Sequence, residues 1–142
     1  MTKRSALAFP GFERCLEMMR SRNAMIQEDG FYYLAPHASE YLDRLIAVFL
    51  AEEDRGLRSW LLELIASAKS VRAFPILVEY LYSSDEALRR WAKSGLKALA
   101  TTCEGRRLLW EAHLYGHGIP SLATEEQASQ LREELRHFIG AG

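Results

Sequence analysis

Four histidines, two cysteines and three clusters of acids are the side chains of this chain that could do chemistry. His113-x-x-x-His117 has the separation at which two imidazoles share one face of a helix and can hold a divalent metal. Gly116 and Gly118 break that helix, and no nearby Cys or acid supplies a third ligand. His37 and His137 stand alone. The acids Glu52-Glu53-Asp54, Asp85-Glu86 and Glu125-Glu126 fall where helices should begin, and the helix dipole accounts for carboxylates there without catalysis. No nucleophile, base and orienting group come together, and no glycine-rich phosphate loop follows a strand. Cys15 and Cys103 lie outside any C-x-x-C or His-rich cluster, and read as two reduced, mostly buried thiols. These residues predict a protein without enzymatic activity, metal or cofactor.

Cations are the better candidates. With Leu88, Ala92, Leu96 and Leu99 facing a core, helical geometry exposes Glu86, Arg90, Lys93 and Lys97 along one ridge. An equivalent ridge one helix pair earlier would carry Arg55, Ser59, Leu62 and Ala66, smoother and less charged. In the last helix the ridge would include Glu133 and Arg136. Taken together, Arg90, Lys93, Lys97 and Arg136 form a row that is basic toward the C-terminal half. Trp60 and Trp91 lie beside the apolar stripes of their helices, a position expected for packing between layers and not for a binding platform.

The elements that carry these residues repeat. Leu57-Arg58-Ser59-Trp60 returns as Leu88-Arg89-Arg90-Trp91, 31 residues on. Upstream at the same offset, Ile46 falls on Leu77, Phe49 on Tyr80, Leu50 on Leu81 and Asp54 on Asp85. A fixed offset joining two helical patterns to a polar turn is the mark of a stacked helical repeat. The first ten residues read as a tail. A helix over 11–22 carries Phe12, Cys15, Leu16 and Met19, and the stretch 23–36 is irregular, with a turn at Asp29-Gly30 and the aromatic run Phe31-Tyr32-Tyr33. Helices follow over 36–53, to about Lys69, from Phe74 to Leu81, and from Asp85 to Leu99. Thr101-x-x-Glu104 and Thr124-x-x-Gln127 have capping-box spacing for two more. Gly116, Gly118 and Pro120 mark a loop over 116–123. Strand signals are absent, so the expectation is an all-α chain of six or seven helices.

Composition sets the remaining bounds. The 142 residues, 49% of them apolar, suffice for one domain with a sizeable core. The formal charge of −1, from 18 basic and 19 acidic side chains, argues against a dedicated nucleic-acid binder. No run approaches the ~18 apolar residues of a membrane span. The apolar stretch after Lys3-Arg4 is too short for a secretory signal and is broken by Pro10-Gly11. A cytoplasmic location with no membrane contact is expected.

Residues 73–99 carry a wider resemblance. Ala73-Phe74-Pro75-Ile76-Leu77-Val78-Glu79-Tyr80-Leu81, a polar turn with Asp85, then Leu88-Arg89-x-x-Ala92-x-x-x-Leu96 resembles a HEAT repeat, the antiparallel helix pair that stacks into curved solenoids. Residues 42–65 look like a weaker copy. Three departures stand against the family pattern: Glu52 and Ser83 replace its Asp six residues before the Arg, the common turn Pro is missing, and the offset fails beyond residue 99. Aligning Leu131-Arg132 restores a third pair only if the 116–123 loop is an insertion. The resemblance implies a single-domain α-solenoid of about three antiparallel pairs. It also gives Arg58 and Arg89 a structural job, bonding a turn of the same or a neighbouring repeat, and makes the second helix of each pair line a concave binding face.

On that resemblance the expected function is macromolecular binding, foremost of a protein with acidic groups, in an accessory, adaptor or immunity-type role. Nucleic-acid backbone binding in the same groove is the second expectation. A subunit of a HEAT-like lyase that attaches pigments to proteins is the third.

Overall fold

The computed structural model describes residues 8–119 and 124–140. Among these the chain forms eight α-helices and no strand, in the order α1 (Phe12–Met19), α2 (Ala24–Leu34), α3 (Leu42–Ala51), α4 (Arg55–Ser67), α5 (Phe74–Tyr80), α6 (Glu86–Leu99), α7 (Cys103–Tyr115) and α8 (Glu125–Gly140). Consecutive helices pack as four pairs, α1 with α2 through α7 with α8. One buried cluster runs through all of them, from Phe12 to Ile139.

The helix beyond the expected six or seven is α2. Residues 23–36 are not irregular, and Asp29-Gly30 is not a turn. Asn23 caps the helix by accepting the Met25 and Ile26 N–H groups. Gly30 is mid-helix because α1 crosses there: a Cβ would lie 2.7 Å from the Cys15 carbonyl oxygen and 2.8 Å from Met18 Cβ. The glycine serves packing, not chain reversal. The helix expected over 36–53 is also shorter. A single 3-10 turn at Ala35–His37 precedes it, and α3 starts only at Leu42. Leu50, expected on the apolar face, is 58% exposed. The expected tail extends too far, since Phe9 stacks on His37 with ring centroids 4.0 Å apart; residues 1–7 lie outside the described chain.

Helix starts follow short polar caps. Asp54 accepts the Leu57 N–H, and Asp85 the Ala87 N–H. Pro75 sits in the first turn of α5. The expected cap of α7 is displaced by one residue: Thr102 accepts the Gly105 N–H, while the Thr101 hydroxyl donates to the Ala98 carbonyl. At α8 the expected box forms, with Gln127 N–H donating to Thr124 Oγ1 and Thr124 N–H to Gln127 Oε1. Gly116, at φ 74°, ends α7, and of the loop expected over 116–123, residues 120–123 lie outside the described chain.

Helices α4 and α6 pack along their lengths. Arg55 lies beside Asp85, Ser59 beside Trp91 and Ala66 beside Gly95, so the two helices run side by side in the same direction. In α3 and α5, Phe49 and Tyr80 meet edge-on at 5.0 Å. The Arg58 guanidinium stacks 4.5 Å over Phe49 and donates to the Tyr80 hydroxyl at 3.0 Å. Arg89 donates to the Ser83 carbonyl at 2.6 Å, which ties α6 to the turn after α5. Both arginines are therefore structural, although Arg58 bonds a side chain of the next pair and not a turn.

Candidate functional site

Positions 59, 62 and 66 of α4 build the joint between the two central pairs. Trp91 donates its indole N–H to Ser59 Oγ at 3.2 Å. Leu62 and Ala66 are buried, and Gly95 lets α6 approach so closely that a Cβ there would lie 3.0 Å from Ala66 Cβ. The smooth exposed ridge expected on α4 therefore does not exist. Leu62 and Ala66 lie in a seam that α6 covers, because their small or apolar side chains suit close helix packing.

Thirty-one residues on, the corresponding positions are Arg90, Lys93 and Lys97. All three are exposed, as the helical spacing predicts. Long charged side chains cannot be closed over as Ser, Leu and Ala can, since burying an unpaired ammonium is prohibitive. Helix α8 stands across from Lys93 and Lys97 but does not seal the joint, and Arg90 does not line the opening. A groove of about 490 Å³ remains, lined by Lys93 and Lys97 on one side and by Gln130, Glu133, Glu134 and His137 on the other, with Phe138 at its base.

Charge in the groove is divided between its walls. Among the described residues neither Lys93 nor Lys97 forms an ion pair, and Arg90 reaches only Glu86 on its own helix, at 3.7 Å. Opposite them, Tyr82 donates its hydroxyl to Glu134 Oε2 at 2.7 Å. Burial, followed by the bond to that carboxylate and its charge, pushes the Tyr82 hydroxyl well above the usual tyrosine range. The bond fixes Glu134 at the groove's edge. The site is thus a cationic wall facing an acidic one, not a uniformly basic face.

Arg136 is on the far side of α8. It lines a second groove with Arg106, Trp110 and Ile139, and so does not join Lys93 and Lys97. Glu133 and His137 border both grooves. Sequence reasoning did not connect Tyr82, Gln130, Glu134 or His137 with the cations. The available signal was the 130, 133, 134, 137 spacing of polar residues on α8, which places them on one helical face.

The remaining candidates have structural surroundings. Trp60 packs against Phe31 of α2, with centroids 5.4 Å apart, so Trp60, like Trp91, meets the preceding pair. His113 Nδ1 lies 2.6 Å from the Arg132 carbonyl, while His117 is beyond the left-handed Gly116 and neighbours Tyr115. Among the described residues no three His, Cys, Asp or Glu side chains converge as a metal site would require. Cys15 is fully buried, and burial pushes its thiol upward. Cys103 corrects the expectation of two mostly buried thiols: it is exposed at the first residue of α7. No helix among the described residues is long and apolar enough to cross a membrane.

No protein-family model, curated protein or solved structure matches this chain.

Proposed function

We propose that this chain is a short HEAT-like helical-repeat protein that binds a protein partner in the groove between α6 and α8. It acts in the cytoplasm as an accessory, adaptor or immunity-type protein, without catalysis. One observation carries the reading. The positions that close the α4–α6 seam with Ser59, Leu62 and Ala66 correspond on α6 to Arg90, Lys93 and Lys97, of which Lys93 and Lys97 line the groove left between α6 and α8. Two unpaired lysines one helical turn apart are a liability for folding and an asset for recognition. A partner that brings carboxylates to them gains charge-assisted hydrogen bonds along a shallow, open groove. The parallel course of α4 and α6 at the 31-residue spacing supports the solenoid reading, in which such surfaces serve as binding faces.

A nucleic-acid backbone is the weaker occupant. Glu133 and Glu134 line the opposite wall, and they would repel phosphates held by Lys93 and Lys97.

The test is affinity capture of the tagged chain from its own host, with wild type compared to Lys93→Glu/Lys97→Glu. One stoichiometric acidic protein, lost in the variant and weakened by salt, is the expected result. Retention of the same partner by the variant would overturn the reading, and nucleic acid in its place would transfer it to the second occupant.

A further inference from the structure

The groove between α6 and α8 holds opposite charges that do not meet. Lys93 and Lys97 line one wall, Glu133 and Glu134 the other, and among the described residues no ion pair crosses between them. Glu134 instead accepts the Tyr82 hydroxyl at 2.7 Å. Two joints keep the walls in place. One is that Tyr82–Glu134 bond. The other is Arg106, which donates to the Ala100 carbonyl behind α6 at 3.4 Å and to the Ile139 carbonyl of α8 at 3.3 Å. A uniformly acidic ligand would satisfy the lysines and be repelled by Glu133 and Glu134. A ligand of both signs satisfies both walls.

We propose, resting on the groove reading above, that the occupant is a single α-helix of the protein partner with charge divided along its length. Acids run along one flank of its contact stripe, and lysine or arginine along the other. Helical form follows from spacing. Lys93 and Lys97 are one turn apart, a rise of about 6 Å, and a helix laid along α6 returns an acid to that flank at every i, i+4 step. On α8, Gln130 to His137 spans about 10 Å, or two turns, for the opposite flank. The groove is shallow and open, which suits the side of a helix. The chain itself seats a helix at the corresponding positions of α4, where α6 covers Leu62 and Ala66 beside Ser59. Between the flanks the occupant needs small or apolar residues, since Phe138 forms the base. Charge also sets the direction of the bound helix. Turned end for end, it would bring its acids to Glu133 and Glu134 and its cations to the lysines.

The experiment is fluorescence anisotropy of three labelled synthetic peptides of equal length against the full chain at low ionic strength. One is a bipolar helix, with Glu on one flank of an Ala/Leu stripe and Lys on the other. The second is an acidic helix with Glu on both flanks, and the third has the bipolar composition interrupted by proline. Wild type should bind the bipolar helix at least tenfold more tightly than either of the others. Glu133→Lys, an exposed change, and Glu134→Gln, which keeps an acceptor for Tyr82, should each weaken the bipolar helix and tighten the acidic one. Leu114→Glu, an exposed change on α7 outside the groove, should match wild type. Circular dichroism and thermal melts confirm the fold of each variant. The inference is overturned if wild type binds no peptide, or holds the proline-interrupted peptide as well as the bipolar helix. Preference for the acidic helix, lost in Lys93→Glu/Lys97→Glu, would overturn the divided-charge helix and leave the groove reading standing. Equal binding of the bipolar helix by wild type and that lysine variant would remove the groove, and the inference with it.

Discussion

Trp91 donates its indole N–H to Ser59 Oγ across 3.2 Å, and this contact fixes the register in which α6 lies along α4. Once the register is fixed, Leu62 and Ala66 must be small or apolar, and the residues 31 positions later inherit the same outward direction without a helix close enough to bury them. Lys93 and Lys97 are tolerated there because α8 stands off.

That asymmetry is testable by exchange. Leu62→Lys should destabilise the chain by more than about 4 kcal/mol or prevent folding, since it buries an unpaired charge in a closed seam. The reverse change, Lys93→Leu, should leave the fold intact and alter stability by less than about 1 kcal/mol. Urea titration of both variants distinguishes the two positions; equal tolerance would contradict the closed seam at Leu62.

Gly30→Ala should lower stability by about 1–3 kcal/mol, the usual cost of overpacking. Helix propensity alone favours alanine by roughly 1 kcal/mol, so a gain is what local reasoning expects. The added methyl meets the Cys15 carbonyl, which is backbone and cannot rotate away. A lower melting temperature by several degrees would show that packing against α1 dominates.

The Asp85 carboxyl is raised by its burial, but the Ala87 and Leu88 N–H groups and Arg55 outweigh that and hold it below the ordinary carboxylate value. A depressed folded pKa stabilises the native state above the unfolded pKa of about 3.9. This contribution is lost as pH falls from there through the folded value. Asp85→Ala should cost about 1 kcal/mol near neutrality, and that cost should shrink in acid. Melting curves of both proteins between pH 7 and pH 2 would show the two converging.

Thiol reactivity should separate the cysteines. In the folded protein one thiol, Cys103, should react promptly with a disulfide reagent, while Cys15 waits for unfolding. Two fast thiols in Cys103→Ser-sensitive and insensitive phases would place Cys15 at the surface and contradict the α1–α2 packing.

The helices were legible in the sequence wherever an apolar stripe coincided with a cap, as at Asp54, Asp85 and Thr124. The reading failed where one residue type serves two purposes. Gly30 carried a turn signal but answers a close helix crossing, and Thr101 and Thr102 both offer caps, of which only Thr102 reaches Gly105. Exposure of Arg90, Lys93 and Lys97 followed from periodicity within one helix. Burial of Leu62 and Ala66 did not, because it depends on a neighbouring helix. The acidic wall opposite the lysines was hidden for the same reason: the repeat offset ends at residue 99, so no rule in the sequence relates Glu133 and Glu134 to Lys93 and Lys97. Separation of Arg136 from those lysines needed the position of α8.

The most direct measurement is the affinity of the captured partner for wild type, Lys93→Glu/Lys97→Glu and Leu114→Glu, taken at two salt concentrations. The groove account predicts a loss of at least about tenfold for the lysine variant, equivalent to 1.4 kcal/mol, weaker binding of wild type at high salt, and no change for Leu114→Glu. Equal affinity of wild type and the lysine variant would contradict it.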